Sequence, residues 1–411
     1  MASPKLRFKE FDGDWNSIAI GKFLKIKSGL GFKAEEYSTE QEIRLLQIEN
    51  VGYGAVKWTH NVKFVPTNYL DVHKDLVLKE GDLVLALNRP VTNDQLKIAK
   101  LTQEDSPSIL YQRVGKLDFL KEDIDKEFIF QIFKKDVKNY VLNSSIGSDQ
   151  PFISTTDLYK HKLCIPLKEE QTKIASFLSN VDEKISQLTQ KHELLSQYKQ
   201  GMMQKLFSQQ LRFKADDGSE FGEWEEIQLR DVAERVTRKN KEDNQNALTI
   251  SAQMGLVNQQ DYFSKQIASR DLSKYYLLHK GEFAYNKSYS AGYPMGAIKR
   301  LKLYEKGVVS TLYICFALND QLNANFFEQY VESGALVPEL EKIAQEGARN
   351  HGLLNISLQE FFEVVILKPC LEEQTKIANF LSAIDQKIEV VAQQIEQAKQ
   401  WKKGLLQQMF V

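Results

Sequence analysis

Residues 166–207, PLKEEQTKIASFLSNVDEKISQLTQKHELLSQYKQGMMQKLF, return as residues 369–410, PCLEEQTKIANFLSAIDQKIEVVAQQIEQAKQWKKGLLQQMF. From Glu169 and Glu372 onward the two copies run without a gap, with about 20 of 39 positions identical. Their offset of about 203 residues is close to half the chain, far too long for a solenoid repeat. It points to a duplicated unit made of a domain followed by a helix. Apolar residues recur at alternating steps of three and four. In the first copy they include Ile174, Leu178, Val181, Ile185 and Leu188, and in the second Ile377, Leu381, Ile384, Ile388 and Val391. That is a coiled-coil seam. Pro166 and Pro369 punctuate the entries, and Glu169–Glu170 and Glu372–Glu373 place negative charge where the helix dipole favours it. A helix of about 39 residues spans roughly 58 Å. Without a packing partner it has little reason to be stable in water. The expected partner is the other copy, antiparallel to the first. His192, Lys199 and Lys402 interrupt the stripe, and polar seam residues fix register more often than they do chemistry. Phe177, Tyr198, Met203, Phe207, Phe380, Trp401, Leu406 and Phe410 lie beside the seam. They add a second apolar column, for the globular domains or for another subunit.

Composition bounds the rest. The chain has 411 residues, 42% of them hydrophobic and 27% charged, the balance of a soluble globular protein with two or three domains. Cys164, Cys315 and Cys370 are far apart and form no CxxC pair, which argues against a disulfide framework or a zinc ribbon and for a reducing cytoplasm. The opening MASPKLRFKE lacks the apolar core of a secretory signal, and the longest apolar run, Val308–Leu318, is too short to cross a bilayer. Net charge is −1, so any phosphate contacts must come from local clusters.

The repeat extends weakly beyond the helices. LRFK occurs at 6–9 and 211–214, followed by an Asp/Gly stretch and then Trp15 or Trp224. LVLKEGDLVLA (76–86) echoes LLHKGEFAYN (277–286), each a turn leading into an apolar strand. QPFISTTDLYKHKLCIP echoes LLNISLQEFFEVVILKP, where Ser154 and Ser357 are expected to cap a short helix before a last strand. The expected fold is α+β: two globular domains with an internal pseudo-two-fold repeat, separated by two long antiparallel coiled-coil helices. The expected boundaries are 1–165 for the first domain, 166–209 for the first helix, 210–368 for the second domain and 369–411 for the second helix. Ser208–Glu223 reads as the linker, and Asn323–Gly334 as a helix.

No phosphate loop, methylase motif, Gly-rich cofactor loop, HExxH or GxSxG is present, and the six histidines are scattered. No catalytic residue and no metal site are expected. What remains is binding chemistry. Lys22, Lys25, Lys27 and Lys33 surround Gly29–Gly31, and Arg235, Arg238, Lys239 and Lys241 occupy the corresponding place in the second half, a pattern suited to phosphate contact. After the echoed strand come Asn88-Arg89-Pro90 in one half and Asn286-Lys287-Ser288-Tyr289 in the other. Near each domain's end lie Ser145 to Gln150 and Gly347 to His351, including Arg349 and Asn350. Arg, Asn and Gln bond bidentately to base edges in the major groove. The candidate DNA-binding residues are therefore Lys25, Lys27, Asn88, Arg89, Ser145, Gln150, Arg238, Lys239, Lys287, Ser288, Tyr289, Arg349 and Asn350.

Two copies of P-x-x-E-E-Q-T-K-I-A-x-F-L-S-x-x-D-x-K-I, each closing a variable domain with an IS-containing end, resemble the specificity subunit of a Type I restriction–modification enzyme. The resemblance spans the whole chain in architecture and is strongest in the helices. It implies two target-recognition domains, each reading half of a bipartite, gapped DNA site, with the helices as spacer. It implies no active site or cofactor in this chain. Its partners would be double-stranded DNA, two modification subunits that methylate adenine N6 with S-adenosylmethionine, and ATP-dependent, magnesium-requiring restriction subunits. Two related domains would place half-sites about one helical turn apart, roughly 34 Å. From the residues alone, a second reading stays open: a helical adaptor that joins two protein partners without touching DNA.

Overall fold

A computed structural model describes residues 3–144, 152–251, 253–263, 271–290, 292–344 and 354–411. The chain forms two compact units: Met1–Thr189 with Gln393–Val411, and Gln190–Ala392. Both boundaries fall inside long helices, so each unit holds the start of its own helix and the end of the other.

The first unit contains β1 (Asn16–Ala19), β2 (Leu24–Ser28), β3 (Tyr53–Ala55), β4 (Leu83–Ala86), a small hairpin of β5 (Val91–Thr92) and β6 (Gln95–Leu96), β7 (Ile98–Lys100) and β8 (Val114–Phe119). Helices α1 (Lys126–Phe133) and α2 (Asp136–Ser144), strand β9 (Lys162–Ile165) and the long α3 (Lys168–Phe207) follow. Five strands make one sheet in the order β2-β8-β4-β7-β3. β4 is apolar throughout because both of its faces are buried. Leu83, Leu85 and Leu87 pack with Phe128, Ile129 and Trp15, while Val84 and Ala86 pack with Leu45, Ile109 and Val114. Gly29 follows β2 where the chain presses on its neighbour: a Cβ there would sit 2.4 Å from the Tyr111 carbonyl oxygen. This glycine serves close packing of the chain.

The second unit contains β10 (Glu225–Gln228), β11 (Ala233–Arg235), β12 (Phe283–Asn286), β13 (Ala297–Arg300) and β14 (Ile314–Leu318). Helix α4 (Ala324–Glu332), strand β15 (Val365–Lys368) and the long α5 (Leu371–Met409) complete it. Its main sheet runs β11-β14-β12-β13. Phe283 and Tyr285 face Phe316, Phe327 and Phe361, with Phe283 stacked on Phe316 and Tyr285 on Phe361. Ser154 and Ser357 accept from the amides of Asp157 and Glu360 and cap the short helices before β9 and β15.

The invariant EEQ at the start of each long helix is an anchor. Glu170 accepts both guanidinium bonds of Arg7, at 2.8 and 2.7 Å, and the Trp15 indole N–H at 3.3 Å. Glu373 does the same for Arg212, at 3.1 and 2.8 Å, and Trp224, at 3.1 Å. The arginine of LRFK, the tryptophan after it and the glutamate more than 140 residues later are thus one cluster, present in each unit. Gln171 accepts from the Asp125 amide and donates to the carbonyls of Asp123 and Pro166. Gln374 repeats this with Asn323, Gln321 and Pro369. A buried carboxylate or amide is tolerable only with this degree of satisfaction. Arg212 therefore belongs to the second unit's anchor, and Ser208–Glu223, read from sequence as a linker, is tied to that unit, with Lys214 bridged to Glu220.

Among the seam residues, Ile174, Leu178, Val181 and Leu188 are buried in the first unit, and Ile377, Leu381, Ile384 and Val391 in the second; Ile185 and Ile388 are half-buried. Within the first unit Phe177 meets Trp401 edge-on at 5.9 Å, and Ile174 and Leu178 share a core with Leu405 and Met409, so the two helix segments run antiparallel. Met203, Phe207 and Phe410, from the second apolar column, are buried in the cores of the units; Tyr198 and Trp401 are exposed. No helix among the described residues is long and apolar enough to cross a membrane.

Candidate nucleic-acid interface

The echoed strands β4 and β12 lead into loops at matching places. Gly81 N–H donates to the Leu101 carbonyl, and Gly281 N–H to the Leu301 carbonyl. At the far end the Leu87 carbonyl accepts from Ile153 N–H at 2.8 Å, and the Lys287 carbonyl from Leu354 N–H at 2.9 Å. Two residues further on stand Arg89 and Tyr289, which therefore occupy equivalent positions. Both are exposed, and neither side chain has a hydrogen-bond or ionic partner among the described residues. Arg89 is held at φ +45°, a region that non-glycine residues enter at a cost and that clusters at functional sites.

The loops themselves differ. In the first unit β5 and β6 are joined by Asn93 and Asp94, with φ of 51° and 56°, the mirror-image turn that suits a tight hairpin. The Tyr53 hydroxyl bonds Thr92 Oγ1 at 2.6 Å and accepts from Asn93 Nδ2 at 3.3 Å. Lys138 on α2 donates to Asp94 Oδ1 at 2.8 Å. In the second unit the loop is stapled from beneath. Tyr293 O–H donates to Glu332 Oε2 at 2.8 Å, and Lys299 Nζ reaches Tyr293 Oη at 2.9 Å and Glu332 Oε1 at 2.5 Å. Burial pulls the Lys299 ammonium down, but Glu332 and Tyr293 outweigh it and raise its pKa. Tyr285 O–H donates to the Met295 carbonyl at 2.8 Å.

The remaining candidates are placed as follows. Asn88, half-buried, forms a backbone bridge with Phe152, whose ring is exposed. Lys25 is exposed on β2 opposite Asp118, whereas β4 ends with Ala86 opposite Val114, so Lys25 and Arg89 lie toward opposite ends of the sheet. Lys27 pairs with Asp75 at 2.9 Å. Arg238 spends its fork on Glu282, at 3.2 and 3.0 Å, and on the Leu277 carbonyl at 3.1 Å. Lys239 donates to the Lys274 carbonyl and lies 4.2 Å over the Tyr276 ring. Lys287 donates to the Ile356 carbonyl at 3.1 Å. Ser288 N–H bonds Asn286 Oδ1. Arg238, Lys239 and Lys287 are thus engaged within their own unit. Ser145, Gln150, Arg349 and Asn350 lie outside the described residues. Sequence reading passed over Tyr53, Lys138, Tyr293, Lys299 and Glu332, which are distant in sequence and carry no local motif. No group of three or more His, Cys, Asp or Glu among the described residues has metal-binding geometry.

The family model for the Type I restriction modification DNA specificity domain matches residues 12–197 and 222–400. The Type I restriction enzyme MjaVIII specificity subunit of Methanocaldococcus jannaschii is 38% identical over 215 residues, which are 51% of this chain and 49% of that protein. The EcoAI specificity subunit of Escherichia coli is 28% identical over 180 residues, 43% of this chain and 29% of that protein. The matched region is thus about half the length, or less, of these curated relatives. The solved S subunit of a Type I restriction–modification system from M. genitalium superposes with a TM-score of 0.59 at 15% identity, over 100% of this chain and 99% of that one, a likeness of fold.

Proposed function

Because this chain belongs to the Type I restriction modification DNA specificity family, we propose that it is the DNA sequence-recognition subunit of such a complex, without catalytic residues of its own. Residues 1–165 and 210–368 act as target-recognition domains, each reading one half of a bipartite, gapped, asymmetric site in the major groove. The helices at 166–209 and 369–411 set the gap and dock two modification subunits. ATP-dependent restriction subunits complete the assembly in the cytoplasm, and S-adenosylmethionine, ATP and magnesium belong to those partners. The observation that carries this reading is internal: the anchors repeat residue for residue and the helices keep about half of their positions, while the loops after β4 and β12 have diverged in sequence and bracing. Divergence of the globular domains, matched exposed loops included, around repeated helices suits two readers on one scaffold.

Arg89 with Asn88, and Tyr289 with Ser288, are the side chains best supported for base-edge contact, since Arg and Asn have the donor patterns for it and Tyr offers a stacking face and a hydroxyl. Lys25, exposed and without a hydrogen-bond or ionic partner among the described residues, suits a phosphate. On the helices the exposed Leu194, Tyr198 and Val390 of the second unit and Trp401 of the first support docking. The experiment is a genome-wide map of N6-methyladenine with the gene intact and deleted. Loss of one gapped, asymmetric motif on deletion is expected. An unchanged map with the partner genes active overturns the proposal.

A further inference from the structure

The two matched loops are braced by the same chemistry drawn from unrelated positions. In the first unit a tyrosine hydroxyl (Tyr53) holds Thr92 and Asn93, and a lysine–carboxylate pair (Lys138–Asp94) holds the turn. In the second a tyrosine hydroxyl (Tyr293) and a lysine–carboxylate pair (Lys299–Glu332) hold the loop that carries Tyr289. Tyr53 and Lys138 come from β3 and α2, whereas Tyr293 lies in the loop itself, Lys299 on β13 and Glu332 at the end of α4. Inheritance through the duplication does not explain such a coincidence, because the braces are not aligned residues. A common demand on the loops does. In the first unit these contacts complete no core: Tyr53 is 43% exposed, Asp94 is exposed, and the Tyr53 hydroxyl bonds loop atoms. In the second unit the loop's own Tyr293 reaches out to Glu332 and to the buried Lys299, which ties the loop to α4 and β13.

We infer that Tyr53 with Lys138, and Tyr293 with Lys299 and Glu332, are positioning residues that fix the two loops for base readout, each brace governing one half-site alone. The inference rests on the reading of the chain as a two-part DNA reader. Base discrimination needs donors held to within a fraction of an ångström, so a loop that loses its brace still binds phosphate but no longer rejects wrong bases. The braces differ in shielding. Lys299 and Glu332 are 10% and 27% exposed, whereas Asp94 is 67% exposed, so added salt weakens the first unit's brace more than the second's.

The test uses the full-length chain expressed in its host in place of the native gene, with the adenine methylation map as readout. Tyr53→Phe and Tyr293→Phe remove one oxygen each. Tyr53→Phe is expected to raise methylation at sites with a single wrong base in one half by about tenfold, the value of one hydrogen bond, with the other half as strict as in the native chain. Tyr293→Phe is expected to relax the opposite half, and Lys138→Arg, which keeps the cation, to retain the stringency that Lys138→Met loses. Arg89→Ala and Tyr289→Ala separate the two levels. If these alanine variants relax their half-sites while the phenylalanine variants stay strict, the braces do not position the readers and the inference falls, with the loop reading intact. If the alanine variants leave both halves unchanged, the loop reading falls and the inference with it. A phenylalanine variant that relaxes both halves together also overturns it.

Discussion

Lys199 Nζ on α3 lies 2.6 Å from Asp385 Oδ1 on α5 within the second unit, and the same two repeat positions meet in the first unit, where Lys402 bonds Asp182. In each unit the lysine comes from one copy of the repeat and the aspartate from the other. Each aspartate is also held by a glutamine of its own domain, Gln329 to Asp385 at 2.8 Å and Gln131 to Asp182 at 3.1 Å. A lysine in an otherwise apolar seam is tolerated where a carboxylate meets it, and a slip of one turn would leave both groups unpaired. The pair is therefore a register pin, and the glutamine ties it to the globular part.

The two pins are unequal. Asp182 also neutralises Lys134, 3.4 Å away, whereas the corresponding residue on α4, Glu332, turns to Lys299 instead. Asp182→Ala strands two mostly buried ammonium groups and is expected to destabilise the first unit by about 3–5 kcal/mol. Asp385→Ala strands one and should cost the second unit about 1–3 kcal/mol. Hydrogen exchange resolved by unit, over a urea series, measures both. Equal losses would show that Lys134 contributes nothing to the pin.

Glu373 is fully buried and has three donors on it, the Arg212 fork and the Trp224 indole. Glu373→Gln keeps the shape but removes the charge and half of the acceptor capacity. A loss of about 2–4 kcal/mol is expected. It should appear as faster exchange around Arg212 and Trp224, with the first unit unaffected. Glu170→Gln is the mirror experiment for Arg7 and Trp15. A variant that loosened both units alike would contradict the separate anchors.

Much of this scaffold is legible in the sequence. The heptads of α3 and α5, the Ser154 and Ser357 caps and the paired Gly81 and Gly281 turns are local patterns, and local patterns announce themselves in sequence. LRFK and EEQ were visible as repeats, but not as parts of one cluster, because their partnership is tertiary. A further echo went unseen: Asp125-x-x-Phe128-x-x-Gln131 matches Asn323-x-x-Phe326-x-x-Gln329. In each, the first residue caps its helix and its amide bonds Gln171 or Gln374, the phenylalanine is core, and the glutamine reaches the seam aspartate. Two identities in seven residues are too few to stand out against chance. The site was less legible still. A run of basic residues looks the same whether it faces solvent or, like Arg238, folds back onto a glutamate, because the partner lies 44 residues away.

The C-terminal residues 393–411 belong to the first unit. Leu405, Met409 and Phe410 pack into its core beside Trp15 and Phe128, Leu6 N–H bonds the Gln408 carbonyl at 2.9 Å, and Lys135 holds the Phe410 carbonyl at 2.9 Å. Truncation after Ala392 is therefore expected to unfold the N-terminal unit, at the opposite end of the sequence, while leaving residues 190–392 protected. Losing three large core side chains, at roughly 2–5 kcal/mol each, removes about as much as the roughly 5–15 kcal/mol by which a domain is stable. Limited proteolysis mapped by mass spectrometry reads the result. Cleavage confined to the second unit would refute the assignment.

Two titratable groups of the first unit give its stability opposite slopes with pH. Burial, with help from Lys402 and against the pull of Asp182, pushes the Lys134 ammonium from 10.5 down to about 8. Between these values the unfolded chain is protonated and the folded one is not, so stability rises with pH from about 8 to 10.5. Burial pushes the Asp136 carboxyl from 3.8 up to about 6, against the effect of Lys135. There the folded chain holds the extra proton, so stability falls as pH rises from 3.8 to about 6. Each shift corresponds to roughly 3 kcal/mol. Asp136→Asn is expected to stabilise the first unit at pH 7 and flatten the acid slope. Lys134→Met should flatten the alkaline slope, with Asp182 still paired to Lys402. Urea melts at pH 4, 6, 8 and 10 of the native chain and both variants decide the matter. An Asp136→Asn variant with an unchanged acid slope would mean that its carboxyl is hydrated and ionised in the folded unit.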